Sequence, residues 1–129
     1  MQQPSSSSAV YEFIERELDG VPYLEALLLL WNSRPRVWTS AQMAAALYVG
    51  DSYAREVLQN LTRRELATQA ESDLFSYQSS STERDTLVAT LETEYRRNLI
   101  RITRILHAKA SPGVREFADA FRFKKDRES

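Results

Sequence analysis

Residues 43–61 read MAAALYVGDSYAREVLQNL, and this stretch decides the fold. Two runs of apolar residues at helical spacing lie within it, and the Tyr-Val-Gly sequence at 48–50 separates them. Upstream, Thr39 followed three residues later by a glutamine is the pattern of a capping box, which starts a helix. Asp51 or Ser52 is expected to cap the second helix. The stretch therefore predicts two short helices joined by a tight turn.

Strand-like segments lie on both sides of these helices. Residues 66–71 and 74–78 form two runs, with a Ser-Asp turn at 72–73 between them. Ahead of the first helix, the Val-Trp pair at 37–38 is β-branched and aromatic and is expected to form a minimal strand. Two helices joined by a tight turn and followed by a two-stranded hairpin make a winged helix-turn-helix.

The flanking segments are predicted to be helical. Residues 23–32 are almost wholly apolar, which is typical of a central, buried helix. Before them, a frayed polar start leads into a short helix that Gly20 closes. Nothing in 83–110 breaks a helix, so one long helix of about 40 Å is expected. A short terminal helix and a charged tail follow.

These patterns predict a mainly α fold with a minor β part. It is a winged helix-turn-helix domain with a small β-hairpin wing, followed by a long C-terminal helix and a short terminal helix. Residues 1–21 form a polar tail and a short helix, residues 22–81 the winged domain, and residues 82–129 a helical dimerisation segment.

The composition excludes several classes of site. The 129 residues include no Cys and a single His, His107, which excludes disulfides, thiolate zinc sites and any metal site with two His. No glycine-rich phosphate loop and no Gly-x-Ser-x-Gly motif is present, so neither an enzyme nor a cofactor is expected. The longest apolar run, residues 26–31, is far shorter than the ~20 residues that span a bilayer. We therefore expect a cytoplasmic protein without a membrane partner.

Charge is balanced overall but unevenly distributed. The 17 basic and 18 acidic residues give a net charge of −1, which is not the basic excess typical of nucleic-acid binders. Residues 12–25 hold five acids and one arginine, residues 34–64 hold five arginines and two acids, and residues 96–109 hold five basic residues and no acid. Because salt screens charges over about 8 Å, these local patches matter more than the total.

Residues 43–61 resemble the helix-turn-helix of bacterial winged-helix regulators of the MarR-like kind, and the likeness extends over roughly residues 22–78. Tyr48 and Glu65 stand where this family commonly has glycine, so a left-handed backbone there would be strained. The wing at 71–73 is short and acidic, whereas family wings are longer and basic. The positions that match the family pattern are Met43, Ala44, Leu47, Val49, Ala54, Val57, Leu58 and Leu61.

The resemblance implies that the second helix, residues 52–64, reads DNA. Arginine, glutamine and asparagine make bidentate contacts with base edges, whereas other arginines contact phosphates, which position the protein without specifying sequence. The alternative is that these are ordinary polar residues on a solvated helix. We expect base contacts from Arg55, Gln59 and Tyr53, phosphate contacts from Arg63, Arg64, Arg34 and Arg36, and further contacts from Ser52 and Asn60.

The long helix carries an apolar stripe whose spacing alternates between three and four residues, which suits pairing of helices. Such a helix has more apolar surface than one small domain can cover, so a homodimer is expected. The alternative is that part of the stripe packs on the domain's own core helix. The expected dimer interface comprises Val88, Leu91, Tyr95, Leu99, Ile102, Ile105, Leu106, Phe117 and Phe121.

Two functions follow from these expectations. The first is a dimeric transcriptional regulator that binds double-stranded DNA. No small-molecule effector and no ligand pocket can be named, and the space between the winged domain and the long helix is the place to look for one. The alternative is a winged-helix module that binds protein without binding DNA. The acidic wing, the net charge of −1, and Asp51 and Glu56 beside or within the second helix favour the alternative.

Overall fold

The computed structural model describes the backbone of residues 3–110 and the side chains of residues 8–108. The predicted short terminal helix, with Phe117 and Phe121, lies outside the described residues. No helix within the described range is both long and apolar enough to cross a membrane. The elements in chain order are α1 (Gln3–Glu17), α2 (Val21–Asn32), α3 (Ser40–Leu47), α4 (Asp51–Arg63), β1 (Ala67–Ala70), β2 (Leu74–Tyr77), α5 (Thr82–Arg97) and α6 (Leu99–Ala110).

The predicted core helix is α2, and the other elements pack around it. Leu24, Leu27 and Leu30 of this helix are fully buried. Pro22 lies in its first turn, where the missing N–H of proline breaks no helical hydrogen bond. Helix α1 begins at Gln3, so the polar segment predicted to fray is part of that helix. Helix α1, the residue that follows it and α4 add further core residues, which are Val10, Phe13, Ile14, Leu18, Ala54, Val57, Leu58 and Leu61.

The helix-turn-helix begins and turns largely as predicted. The capping box is confirmed: the Thr39 hydroxyl accepts from the Gln42 amide, and the Gln42 side chain accepts from the Thr39 amide. The prediction that Asp51 or Ser52 caps α4 is wrong. Gly50 is the N-cap, with φ −73° and ψ 157° and no side-chain cap. The helix therefore starts at Asp51, one residue before the start that an Asp51 cap would give. Asp51 lies in the first turn, near the positive end of the helix dipole.

The wing is a two-stranded antiparallel hairpin. The Cα register pairs Ala67 with Tyr77 and Ala70 with Leu74. The minimal strand predicted at 37–38 is reduced to a single bridge, in which Trp38 and Phe75 exchange two backbone hydrogen bonds of 2.7 and 2.8 Å. This bridge joins the wing to the residues just before α3. The structure thus has the winged helix-turn-helix fold that the sequence predicts.

The single long helix predicted for residues 83–110 is wrong, because the helix breaks at Asn98. This residue has φ −126° and ψ 49°, and its side-chain amide donates to the Glu94 carboxylate at 2.8 Å. Asparagine is a weaker helix former than alanine or leucine. The break turns α6 against α1 and α2, where Ile102 and Leu106 become fully buried.

Candidate nucleic-acid interface

Helix α4 presents one polar face to solvent. Its apolar residues pack inward, and Ser52, Glu56, Gln59 and Arg63 form a line opposite them at helical spacing. Ser52, Glu56 and Arg63 are exposed, and Gln59 is half-buried. Three of these four residues were predicted to contact DNA. The fourth, Glu56, places a carboxylate in the middle of the same line.

Arg55 lies beside this face and is held by the wing. Its Nη1 is 3.5 Å from the Asp73 carboxylate, and its Nη2 donates to the Ser72 carbonyl at 3.0 Å. The side chains of Arg55 and Asp73 are 42% and 35% exposed, so solvent screens this ion pair and its contribution to stability is small. The contact fixes the orientation of the Arg55 guanidinium relative to the hairpin turn.

The wing carboxylate also meets the start of α3. Both oxygens of Asp73 accept from the Ser40 backbone amide, at 3.3 Å each. Free N–H groups at a helix N-terminus are the donors that bind phosphate in many proteins. In this chain Asp73 already occupies one of them. The acidic wing therefore folds against the helix-turn-helix.

Tyr53 lies on the flank of α4 that faces α2. Its ring packs edge-on against Tyr23, with 6.5 Å between the ring centroids. Burial raises the pKa of both tyrosines, so both hydroxyls stay protonated at neutral pH. Because Tyr53 is 39% exposed, its outer edge is accessible beside the polar face.

The structure directs Arg64 and Asn60 toward α1 rather than along the polar face. Arg64 lies 3.4 Å from Glu17 and 3.3 Å from Asp19, and it donates to the Arg16 carbonyl at 3.0 Å. Asn60 donates to Asp19 at 3.4 Å and accepts from Arg64 at 3.1 Å. These two predicted DNA contacts are therefore engaged within the protein.

The two arginines before α3 are exposed and stack on tryptophans. The Arg34 guanidinium lies 3.5 Å from the Trp31 ring centroid, and that of Arg36 lies 3.9 Å from the Trp38 ring centroid. Stacking of this kind leaves the outward N–H groups of a guanidinium free for phosphate oxygens. Arg36 belongs to the segment that the wing bridge holds next to α3.

Much of the apolar stripe predicted for dimerisation is covered by the chain itself. Four of its residues are fully buried within one copy, because both α5 and α6 pack against α1 and α2. Tyr95 and Ile105 are half-buried, and Leu99 is 49% exposed. Ile100, which lies outside the predicted stripe, is 71% exposed. The four buried residues are Val88, Leu91, Ile102 and Leu106.

An open cavity of about 420 Å³ lies between α2, the end of α3, and α5. It lies between the winged domain and α5, the region in which the sequence suggested looking for a ligand pocket. Tyr95 donates to Glu25 at 3.5 Å on one side, and Arg96 donates to Glu92 at 2.6 Å on the other. The hydrogen bond from Arg96 lowers the pKa of Glu92. No group of three potential metal ligands is found among the described residues.

Two charged residues of the candidate interface, Asp73 and Glu56, were not among the predicted DNA contacts. Asp73 was recognised only as part of an acidic wing, and its contact with Arg55 joins residues 18 positions apart through a tertiary fold. Glu56 was expected on the exposed side of the second helix but was not assigned a DNA contact. Helical spacing was the available signal for Glu56, since it lies four residues after Ser52 and three before Gln59.

Comparison with solved structures supports the fold. RV1404 from Mycobacterium tuberculosis matches with a TM-score of 0.50 and 17% identity over 94% of this chain and 82% of that chain. Adhesin competence repressor (AdcR) from Streptococcus pyogenes matches with a TM-score of 0.50 and 14% identity over 94% of this chain and 92% of that chain. No protein-family model matches the sequence, and no curated protein matches it. The likeness is one of fold, and that fold is the winged helix-turn-helix.

Proposed function

We propose that this protein is a DNA-binding transcriptional regulator of the MarR-like kind, and that it reads DNA with α4. The observation that carries the proposal is the polar line on the second helix of a winged helix-turn-helix. Ser52, Gln59 and Arg63 lie in this line on both sides of Glu56, and Arg55 lies beside it. Winged helices place this helix in the major groove. One structural neighbour is named a repressor, which supports the same function.

Phosphate contacts in this proposal come from the exposed arginines. Arg63 lies at the C-terminal end of the α4 face, and Arg34 and Arg36 lie before α3. Arg64 is excluded because its guanidinium is bound by Glu17 and Asp19. Few phosphate contacts per copy predict a moderate salt dependence of binding, since the slope scales with the number of phosphates neutralised.

The regulator is proposed to act as a homodimer. Leu99 and Ile100 are exposed apolar residues next to the Asn98 break, and half-buried Tyr95 and Ile105 lie nearby in sequence. A twofold dimer would present two copies of α4 to a symmetric site. Sedimentation of the protein and of Ile100→Glu tests this, because a charge at the interface should produce a monomer. A monomeric wild type would refute the dimer.

Protein docking is the second candidate function, and the charge of the interface favours it. Arg55 and Arg63 are matched by Glu56 on the same face and by Asp73 of the wing. This face is therefore nearly neutral, whereas a DNA-binding surface normally has a positive potential. The exposed apolar residues at 99–100 supply a separate surface for a partner.

Titration of a labelled mixed-sequence DNA duplex separates the two functions. The regulator predicts binding at about 50 mM salt that weakens at about 200 mM, because phosphate contacts release counterions. Fluorescence anisotropy measures this directly with the full chain. If no binding occurs at the lower salt concentration, the regulator is rejected and the docking module remains.

A further inference from the structure

We infer that Asp73 is a positioning residue that sets sequence specificity, by holding Arg55 in the orientation that reads a guanine. This inference rests on the proposed DNA-binding function. It assigns the acidic wing a role at the interface, although wing acids by themselves repel phosphate. The wing acts through the helix that it contacts instead of through DNA.

The contact pattern of Arg55 leaves one edge of its guanidinium available. An arginine carries five N–H donors in a rigid planar fork. The wing engages Nη1 through Asp73 and Nη2 through the Ser72 carbonyl. Each of these nitrogens keeps a second N–H, and no hydrogen bond from Nε is found within the described residues. The edge formed by Nε and one terminal nitrogen can therefore donate two parallel hydrogen bonds.

The Asp73 carboxylate is itself fixed. Both of its oxygens accept from the Ser40 amide at 3.3 Å, and the bridge between Trp38 and Phe75 holds the wing against the same segment. Gln69 of β1 donates to the Ser72 carbonyl at 2.9 Å, which orients the second acceptor for Arg55. Arg55 is thus held by two acceptors that are both anchored to the fold.

The ligand that fits this free edge is a guanine in the major groove. Paired donation to O6 and N7 of guanine is the commonest specific contact that arginine makes with DNA. An arginine held in place loses less side-chain entropy on binding and tolerates less displacement. Without Asp73, Arg55 would still attract DNA by charge, but it would discriminate poorly among bases.

Selection from a random-sequence duplex pool tests the role of Asp73. Wild type should prefer guanine at one position by about tenfold, and Arg55→Ala should lose that preference. Asp73→Asn keeps an oxygen that can accept from Ser40 but removes the charge that pairs with Arg55. It should reduce the preference at the same position to about threefold or less and leave the other positions unchanged.

Glu71→Gln is the matched control, because it removes the same charge from the same hairpin turn at an exposed position. Glu71→Gln should keep the guanine preference of the wild type. A general weakening of the wing by Asp73→Asn would alter the preference at several base positions and not at one alone. If Asp73→Asn selects the same guanine as strongly as wild type, the inference is overturned. If wild type selects no sequence at all, the failure lies in the proposed function.

Discussion

The carboxylate of Asp73 lies 3.5 Å from Nη1 of Arg55, and both of its oxygens share the single N–H of the Ser40 amide in a bifurcated hydrogen bond. One acidic side chain therefore joins the hairpin turn, the start of α3 and the first half of α4. In a winged helix-turn-helix these are the parts whose relative placement decides how the second helix meets its target. The acidic wing is thus fixed against α4, the helix proposed to read DNA.

Replacing Asp73 by alanine should destabilise the protein by about 1 kcal/mol. The variant loses the acceptor for the Ser40 amide and a partly exposed ion pair, each of modest strength. Urea unfolding followed by circular dichroism measures the difference. The control Glu71→Gln should change the free energy of unfolding by less than about 0.5 kcal/mol. Equal effects of the two variants would show that the Asp73 contacts contribute nothing to stability.

Replacing Glu56 by glutamine should increase the affinity for DNA roughly fivefold, which corresponds to about 1 kcal/mol. Glu56 lies in the middle of the exposed face of α4, so its carboxylate would approach phosphates or base edges. Anisotropy titrations at low salt measure the gain. Glu12→Gln, at an exposed position on α1, should leave the affinity unchanged. A fall in affinity for Glu56→Gln would mean that this carboxylate itself accepts a hydrogen bond from DNA.

Replacing Tyr48 by glycine should stabilise the protein by about 0.5–1 kcal/mol. Tyr48 ends α3 with φ 60° and ψ 46°, a conformation that costs a non-glycine residue about 1–2 kcal/mol. Its side chain is 93% exposed, so little packing is lost, although the extra freedom of glycine in the unfolded chain offsets part of the gain. Tyr48→Ala keeps the Cβ and should show no gain. Thermal unfolding that ranks alanine above glycine would contradict this account.

Asp85 should make stability depend on pH in the acid range. Its carboxylate accepts from the hydroxyls of Ser79 and Tyr77, each at 2.6 Å, and these hydrogen bonds lower the pKa of Asp85. The folded pKa lies below the unfolded value near 4, so the stabilisation is fully present above about pH 5 and is lost as pH falls through the folded pKa.

Asp85→Asn should therefore be less stable than wild type at pH 7, and this difference should shrink below about pH 4. Urea midpoints measured across this range test the expectation. Glu83→Gln removes a charge from the same first turn of α5 and should show no such convergence. If the stability difference between wild type and Asp85→Asn stays constant down to pH 2.5, about 1.5 units below the unfolded pKa, a stabilising role of the Asp85 carboxylate is contradicted.

Local sequence signals predicted the local structure well. The capping box at Thr39 depends on residues three apart. Tyr48 and Glu65 keep the left-handed backbone although it was expected to be strained for residues other than glycine. The core helix was predictable because an all-apolar helix has to be buried. These features depend on neighbours in sequence, so one sequence sufficed to find them.

Features that depend on distant contacts were missed. Asn98 is tolerated inside many helices, and the break there depends on α6 burying Ile102 and Leu106 against α1 and α2. The pairing of Asp73 with Arg55 depends on how the hairpin folds over α4. The same holds for Arg64, whose ion pairs come from α1 and the residues that follow it. Periodicity along the chain carries no information about such partners.

The most direct test of DNA reading by α4 compares two double variants with the same loss of charge. Arg55→Ala/Arg63→Ala changes the α4 interface, and Arg97→Ala/Arg104→Ala changes exposed positions of α5 and α6. Each is titrated into a mixed-sequence duplex at about 50 mM salt, and sedimentation confirms that the oligomeric state is unchanged. We expect the α4 variant to lose at least about tenfold in affinity while the other binds like wild type. Equal losses, or a larger loss from the α5 and α6 variant, would contradict the claim that α4 reads DNA.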